Sequence, residues 1–162
     1  MGGSGRVVSG GPLGPAGNST QTCTPLHPGE SMSEGYLSVT NHSGGTLTIE
    51  SMTLAAPRDI RLIGAFIVPL RRNVIGDTDG WPPPRHLLLP GVEWAKRHVP
   101  AGARVRPGEW VDPVIGLRIA PGHDKGSEDG QLIRYRDAAG HQYVLHTAID
   151  ATLQAGPKAC PA

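Results

Sequence analysis

Long apolar runs and an excess of charge of either sign are both missing from this sequence. No segment holds about 18 consecutive apolar residues, so the sequence predicts no membrane-spanning helix. The 15 basic and 14 acidic side chains nearly cancel, and the formal net charge is +1. Proteins that bind nucleic acid or anionic membranes usually carry a strong positive charge. The composition therefore gives no support for a nucleic-acid partner.

Aromatic residues and cysteines are also scarce. One Phe, three Tyr and three Trp mean that the core must be mostly aliphatic. The only two cysteines are Cys23 and Cys160, 137 positions apart. A disulfide between them would tie the start of the folded domain to its end and would place the protein outside the reducing cytosol, secreted or in the cell envelope. The alternative is two unrelated buried thiols.

Glycine and proline are abundant instead, with 23 Gly and 16 Pro. They oppose long helices and favour short segments joined by turns. Residues 1–22 are rich in Gly, Ser and Pro, which predicts a flexible linker before a single domain over residues 23–162. No signal peptide is evident. Either an export signal or membrane anchor has been removed, or the protein is cytosolic with a disordered leader; the cysteine pair favours the first.

Alternation of apolar and polar residues predicts about seven short strands and one weak helical stretch, residues 92–98. Residues 36–40 and 46–54 are expected to form an antiparallel hairpin, with a bulge near Glu50 where the parity of the apolar positions changes. Residues 121–130 are expected to form a loop. The other predicted strands are residues 60–68 (central, covered on both faces), 114–119, 131–136 and 141–153. This pattern predicts an all-β, two-sheet antiparallel sandwich.

Three segments resemble bacterial extracytoplasmic immunoglobulin-like domains of the actinobacterial type. They are the opening pair of strands in residues 36–49, the Arg-Pro-Gly-Glu turn at 106–109 and the closing strand at 132–136. The resemblance covers about half of the chain. It implies an immunoglobulin-like sandwich and carries over no functional residue.

A stretch of about thirty residues, at about 71–102, exceeds what a bare sandwich needs. It contains two of the three tryptophans and three consecutive prolines. A stiff segment with aromatic side chains loses little entropy on binding, and Trp and Arg dominate interface energies. We therefore expect a protein partner to contact Trp81, Arg85, His86 and Trp94. In the alternative, the insertion folds back and plugs one open end of the sandwich.

Metal ligands are suggested only weakly. The seven histidines show no recognised ligand spacing. Asp77 and Asp79, in an Asp-Thr-Asp-Gly run, look like the start of a calcium loop, but its remaining ligands are missing. A metal site would need residues that converge only in space.

Catalytic motifs are absent from the sequence as well. There is no Gly-x-Ser-x-Gly elbow, and no phosphate-cradling glycine loop precedes a helix. The sequence therefore predicts no cofactor and a non-enzymatic, extracytoplasmic binding or assembly module. The alternative is a cell-envelope protein that binds zinc or copper, and a small secreted hydrolase is the third and least favoured interpretation.

Overall fold

The computed structural model describes residues 6–17, 19–155 and 160, and the described chain is all β. The predicted all-β sandwich is confirmed. No helix among the described residues has the length and apolarity needed to cross a membrane. The strands in chain order are β1 (Val8–Ser9), β2 (Leu13–Gly14), β3 (Thr20–Pro25), β4 (Met32–Gly35), β5 (Val39–Asn41), β6 (Leu47–Leu54), β7 (Ile60–Pro69), β8 (Gly76–Asp79), β9 (Arg104–Val105), β10 (Trp110–Ile119), β11 (Lys125–Glu128), β12 (Gln131–Arg136), β13 (Gln142–His146) and β14 (Ile149–Gln154).

Two sheets form the sandwich. Sheet I has the order β1-β13-β12-β6-β9. In sheet II, β10 pairs with β7 along one side and with β5 and β4 on the other, and β2 and β8 follow outside these. A third, small sheet, sheet III, has the order β11-β14-β3. The pairing departs from the antiparallel expectation at two places, because β1–β13 and β14–β3 are parallel.

The core between the sheets is aliphatic, as the scarcity of aromatic residues predicts. Its one fully buried aromatic side chain among the described residues is Tyr135. The largest aliphatic contributors are Leu13, Met32, Leu47, Ile49, Ile115, Leu117, Ile133 and Leu153.

The bulge predicted near Glu50 is confirmed. Arg134 lies opposite Ser51 and Tyr135 lies opposite Ile49, so Glu50 is the extra residue of β6. The bulge lets Ile49 and Met52 both reach the core although their positions differ in parity.

The predicted hairpin of residues 36–54 is wrong. Its two halves are strands of different sheets, since β5 pairs with β10 and β2 while β6 pairs with β12 and β9. Asn41 determines the crossing: its buried amide donates to the carbonyls of Gly45 and Val105, at 2.8 and 2.9 Å. These bonds satisfy the backbone where the chain leaves one sheet for the other.

Strand β10 extends further than the predicted 114–119, through Pro113 to Trp110. Proline lacks the N–H that a central strand needs. Pro113 pairs with Ile67 of β7, but on the other side of β10 it falls between the ends of β5 and β4. The missing N–H group of Pro113 therefore faces the gap between β5 and β4, where it interrupts no hydrogen bond between strands.

The last predicted strand is divided by a bend. The strand predicted over 141–153 divides into β13 and β14, and the predicted loop at 121–130 contains β11. At the bend, Gly130 adopts a φ of +97°, and the Gln131 amide donates to the Thr147 hydroxyl at 2.8 Å. The long hairpin thus passes from sheet I into sheet III.

The described part of residues 1–22 differs from a free linker; residues 1–5 and 18 lie outside the described residues. Strand β1 pairs with β13, and β2 pairs with β5. The buried hydroxyl of Tyr135 donates to the Gly10 carbonyl and accepts a bond from the Leu13 amide. A Gly/Ser/Pro composition did not reveal these contacts because their partners are distant in the sequence: β5 begins 26 residues after Leu13, and β13 and Tyr135 are more than 120 residues away.

Cys23 and Cys160 lie at disulfide distance, with Cα atoms 5.4 Å apart. Cys23 is in β3, the edge strand of sheet III, opposite Thr152 of β14. The bond fastens this edge to the end of the chain.

Removal of the disulfide should destabilise the domain. Closing a loop of 137 residues restricts the unfolded chain, and native disulfides typically contribute about 2–4 kcal/mol. The variant with Cys23→Ser and Cys160→Ser should lose about that free energy of unfolding in urea. Reductant should lower the stability of the wild type to the level of the variant and leave the variant unchanged. Equal stability of the two oxidised proteins would contradict the prediction.

Candidate functional site

The insertion, residues 71–102, covers the outer face of sheet II. Strands β7 and β10 carry apolar side chains on both faces, so the face turned away from the sandwich core also needs a cover. The insertion supplies it and does not plug an open end of the sandwich. This second cluster comprises Phe66, Val68, Ile75, Trp81, Leu88, Val92, Trp94 and Val114.

Trp81 lies flat on two glycines that face each other across the sheet. Gly64 of β7 pairs with Gly116 of β10, and a Cβ atom at either position would overlap the indole ring. Phe66 stacks on the same indole, with ring centroids 5.6 Å apart and an interplanar angle of 18°. Trp81 therefore packs the insertion against the sheet.

Trp94 is also part of this packing. It is buried and meets Phe66 edge-on at 5.5 Å between centroids. The Arg97 guanidinium lies 5.1 Å from the Phe66 centroid and 4.8 Å from that of Trp94, within cation–π range. Trp94 begins a short 3-10 turn, Trp94–Lys96, within the stretch predicted to be weakly helical.

Backbone bonds attach the insertion at both ends. The Glu93 amide donates to the Pro69 carbonyl at 3.0 Å, and His98 exchanges two bonds with Ile67. Near the start, the buried Asp112 carboxyl group accepts a hydrogen bond from the Ile75 amide at 2.9 Å. The segment is thus fixed to β7 and β10 before any partner is present.

The outer side of the insertion exposes aliphatic residues. Leu87 is 44% exposed and Leu89 is 52% exposed. Beside them is a cleft of about 410 Å³. Its walls are Arg85, Leu88, Val92, Glu93, Trp94, Ala95 and Lys96.

Of the four predicted contact residues, Arg85 and His86 are exposed, in the 3-10 turn Arg85–Leu87 next to the cleft. Trp81 and Trp94 instead support the cleft from the sheet side. The structure adds Leu87 and Leu89, which sequence reasoning did not single out. The sequence contained a signal for them, because residues 87–89 are three consecutive leucines in an otherwise polar connection. A contiguous apolar patch on a protein surface marks an interaction site.

Positive charge surrounds the cleft. The insertion contains five Arg and Lys against three Asp and Glu. Its one acidic wall residue, Glu93, is neutralised by Lys96 at 2.9 Å and Arg71 at 3.1 Å. The hydrogen bond from Lys96, followed by the charge of Arg71, lowers the pKa of Glu93. Arg85 forms no ion pair with any described residue and remains available.

The contact of Trp81 with the glycine pair can be tested by adding one methyl group. Gly116→Ala places a Cβ atom inside the indole of Trp81. Overpacking of this kind costs roughly 1–3 kcal/mol. We expect that loss in urea unfolding, together with a red shift of Trp emission as the indole moves towards solvent.

Gly44→Ala is the matched control, because a Cβ atom there meets nothing within 4 Å. It should change neither stability nor emission. If Gly116→Ala is as stable as the control, Trp81 does not lie on the glycine pair.

Buried carboxyl groups form a second feature, inside the sandwich. Glu34 of β4 pairs with Asp77 of β8 across the sheet, and Glu128 is buried near the bend of the long hairpin. The Gln131 side chain donates a hydrogen bond to Glu34. One oxygen each of Glu34, Asp77 and Glu128 is buried without a hydrogen-bond partner.

Among the described residues, these carboxyl groups do not belong to a cluster of metal ligands. No group of three His, Cys, Asp or Glu side chains in the described ranges converges as metal ligands require. Asp79, the second predicted calcium ligand, is exposed and lies opposite Met32, whereas Asp77 lies opposite Glu34.

Burial raises the pKa values of all three acids. The pKa of Glu34 rises to about 8, through burial and then through the charges of Glu128 and Asp77. Burial raises the pKa of Glu128 to about 7 and that of Asp77 to about 6, against opposing hydrogen bonds from the amides of Gly130 and Gly35. The ordinary pKa values are 3.8 for Asp and 4.5 for Glu. At a pH between these values and the raised ones, the folded protein keeps protons that the unfolded chain has released.

Stability should accordingly fall as the pH rises from about 5 to 8. In that window the folded state binds more protons than the unfolded state, so the free energy of unfolding decreases with pH, by at most about 1.4 kcal/mol per unit for each group. The Glu34→Gln variant should have a clearly smaller slope in urea titrations at several pH values.

Glu30→Gln serves as the control, because Glu30 is exposed and glutamine keeps an acceptor for the His27 amide. It should retain the slope of the wild type. A wild-type stability that is flat or rises between pH 5 and 8 would show that the interior acids are not protonated in the folded state.

No protein-family model and no curated protein matches the sequence. Among solved structures, the chain is similar to an ASH/PapD-like domain of human CEP192, PapD-like domain 7. The two share 10% identity, the match covers 86% of this chain and 82% of that chain, and the TM-score is 0.42. A likeness of this size carries no conclusion about function, and the resemblance to bacterial domains stays a prediction.

Proposed function

We propose that the protein is a non-enzymatic binding or assembly module whose insertion docks a protein partner. The observation that carries the proposal is the exposed aliphatic pair Leu87 and Leu89 beside the cleft floored by Trp94. A bulky apolar anchor in a pre-formed pocket, surrounded by contacts that exclude water, is the common source of interface energy.

The insertion suits this role because it is already ordered. Trp81 and Trp94 fix it to the sheet, and backbone bonds hold both of its ends. A surface that is ordered beforehand loses little conformational entropy on association. In this proposal Trp81 and Trp94 position the surface, and Arg85 and His86 contact the partner.

The charge of the rim supports a partner of opposite charge. Arg85 and Lys96 border the cleft, and the charge of Glu93 is already neutralised. We propose a partner segment with an aliphatic or aromatic anchor flanked by Asp or Glu. Opposite charges at the rim increase the association rate and favour this partner over basic ones.

The disulfide distance between Cys23 and Cys160 supports a secreted or cell-envelope location for this activity. The alternative of a zinc- or copper-binding envelope protein stays a prediction. No specific observation favours it or the hydrolase.

Replacing both leucines should abolish partner capture without unfolding the domain. Immobilised wild-type protein and the variant with Leu87→Ser and Leu89→Ser are incubated with the secreted and envelope fractions of the source cells. Loss of two exposed anchors at an interface should weaken binding at least about tenfold. The variant should unfold at the same urea concentration as the wild type, because both side chains are exposed.

Val8→Ser is the control, since Val8 is 47% exposed on sheet I, the sheet that the insertion does not cover. A specific partner is retained by the control and lost by the leucine variant. A partner captured equally by all three proteins would contradict the proposal.

Arg85→Gln should weaken the same complex by a smaller factor and reduce its dependence on salt, because the residue acts at the rim. Binding measured at low and high ionic strength checks this. Arg134→Gln, at an exposed position of sheet I, should leave both quantities unchanged. An Arg85→Gln complex with the affinity and salt dependence of the wild type would exclude the acidic partner.

A further inference from the structure

A second cavity, distinct from the cleft of the insertion, lies at one end of the sandwich. It is formed where β9 of sheet I approaches the ends of β7 and β10, and its volume is about 490 Å³. This size lies in the range of cavities that bind small organic ligands. Its lining is Thr46, Ile67, Pro69, His98, Gly102, Ala103, Arg104, Arg106, Glu109 and Val111.

Two cationic side chains line this cavity without a partner. Arg104 and Arg106 flank Val105, whose side chain is fully buried in the core. Both arginines are exposed, and both belong to the lining of the cavity. Neither forms an ion pair with any residue that the structure describes.

The one acid of the lining is already engaged. Glu109 accepts a hydrogen bond from the Arg106 amide at 2.8 Å, which closes the turn between β9 and β10. Two arginines and one glutamate leave a formal charge of 2 − 1 = +1 on the lining. His98 and the Thr46 hydroxyl add further polar groups.

The rest of the cavity is apolar and rigidly held. Ile67, Pro69 and Val111 line it from the side of sheet II. The His98 backbone is bonded twice to Ile67, at 2.8 and 2.9 Å, and the Ala103 carbonyl accepts a hydrogen bond from the Ile49 amide at 2.7 Å. The two walls are therefore fixed by sheet hydrogen bonds, so the cavity exists before a ligand binds.

From this arrangement we infer that the cavity binds a small organic anion, with a carboxylate or phosphate on Arg104 and Arg106 and a short apolar body against Pro69, the partly exposed apolar residue of the wall. Guanidinium groups pair with both anions through two parallel hydrogen bonds. The apolar wall selects an organic anion over an inorganic one. The site is separate from the surface of Leu87 and Leu89, so either can fail without the other.

Amide chemical shifts of the intact protein can test the site with three probes of similar shape. Phenylpropionate and phenyl phosphate carry the two anions, and phenylpropanol keeps the apolar body without charge. Both anions should shift the amides of Ala103, Arg104 and Arg106 and bind at least about tenfold more tightly than the alcohol. The tighter of the two anions identifies the headgroup.

Charge variants make the test specific. The variant with Arg104→Gln and Arg106→Gln should weaken binding of both anions at least about tenfold, whereas Arg134→Gln, an exposed position of β12 outside the lining, should leave it unchanged. Glu109→Gln keeps an acceptor for the Arg106 amide while it removes the opposing charge. It should tighten binding a few-fold.

Three results would overturn the inference. They are no binding of either anion, equal binding of the neutral alcohol, and anion binding that survives the double arginine variant. The chemical shifts of each variant also report whether it remains folded.

Discussion

The contact of Trp81 with the glycine pair Gly64 and Gly116 is the constraint on which the outer layer of this protein depends. The two strands that carry these glycines are apolar on both faces, and in the part of the chain that the structure describes the insertion covers the outer face. Without a side chain at either glycine, the indole can lie directly on the backbone of the sheet. The indole stacks on Phe66, which also contacts Trp94 edge-on. The Arg97 guanidinium lies within cation–π distance of both Phe66 and Trp94. The insertion is thereby a third layer of the domain, and its exposed leucines and basic rim are presented on a fixed support.

Local patterns predicted much of the sandwich. Residues 131–136 and the strand beginning at Ile60 were predicted almost to the residue, because alternation and apolar runs report burial directly. The bulge at Glu50 followed from a change of parity. The failures have a common cause, which is pairing over long sequence distances. Asn41 directs β5 and β6 into different sheets through a bond to Val105, and Tyr135 holds residues 10–13 from far along the chain. Neither partner can be read from a local window.

The candidate surface was half visible in the sequence. The length and composition of residues 71–102 indicated an unusual element, but residue type alone could not separate the tryptophans that support it from the residues that face solvent. The distinction depends on which side chains of the insertion pack on the outer face of sheet II, and this is known only from the fold. The second cavity could not be predicted from the sequence, since it combines residues of β7, β9 and β10 with His98. Arg104 and Arg106 on their own look like ordinary exposed positions of a short strand.

Amide hydrogen exchange of the free protein tests most directly whether the insertion is a built layer. The amides of Arg71, Glu93 and His98 donate to backbone carbonyls of the insertion or of β7. They should exchange slowly, in the same opening event as the amides of β7 and β10, because the layer and the sheet stabilise each other. Rapid exchange of these three amides beside a protected sheet would show a loosely attached loop. That result would contradict the pre-formed surface on which the proposed function rests.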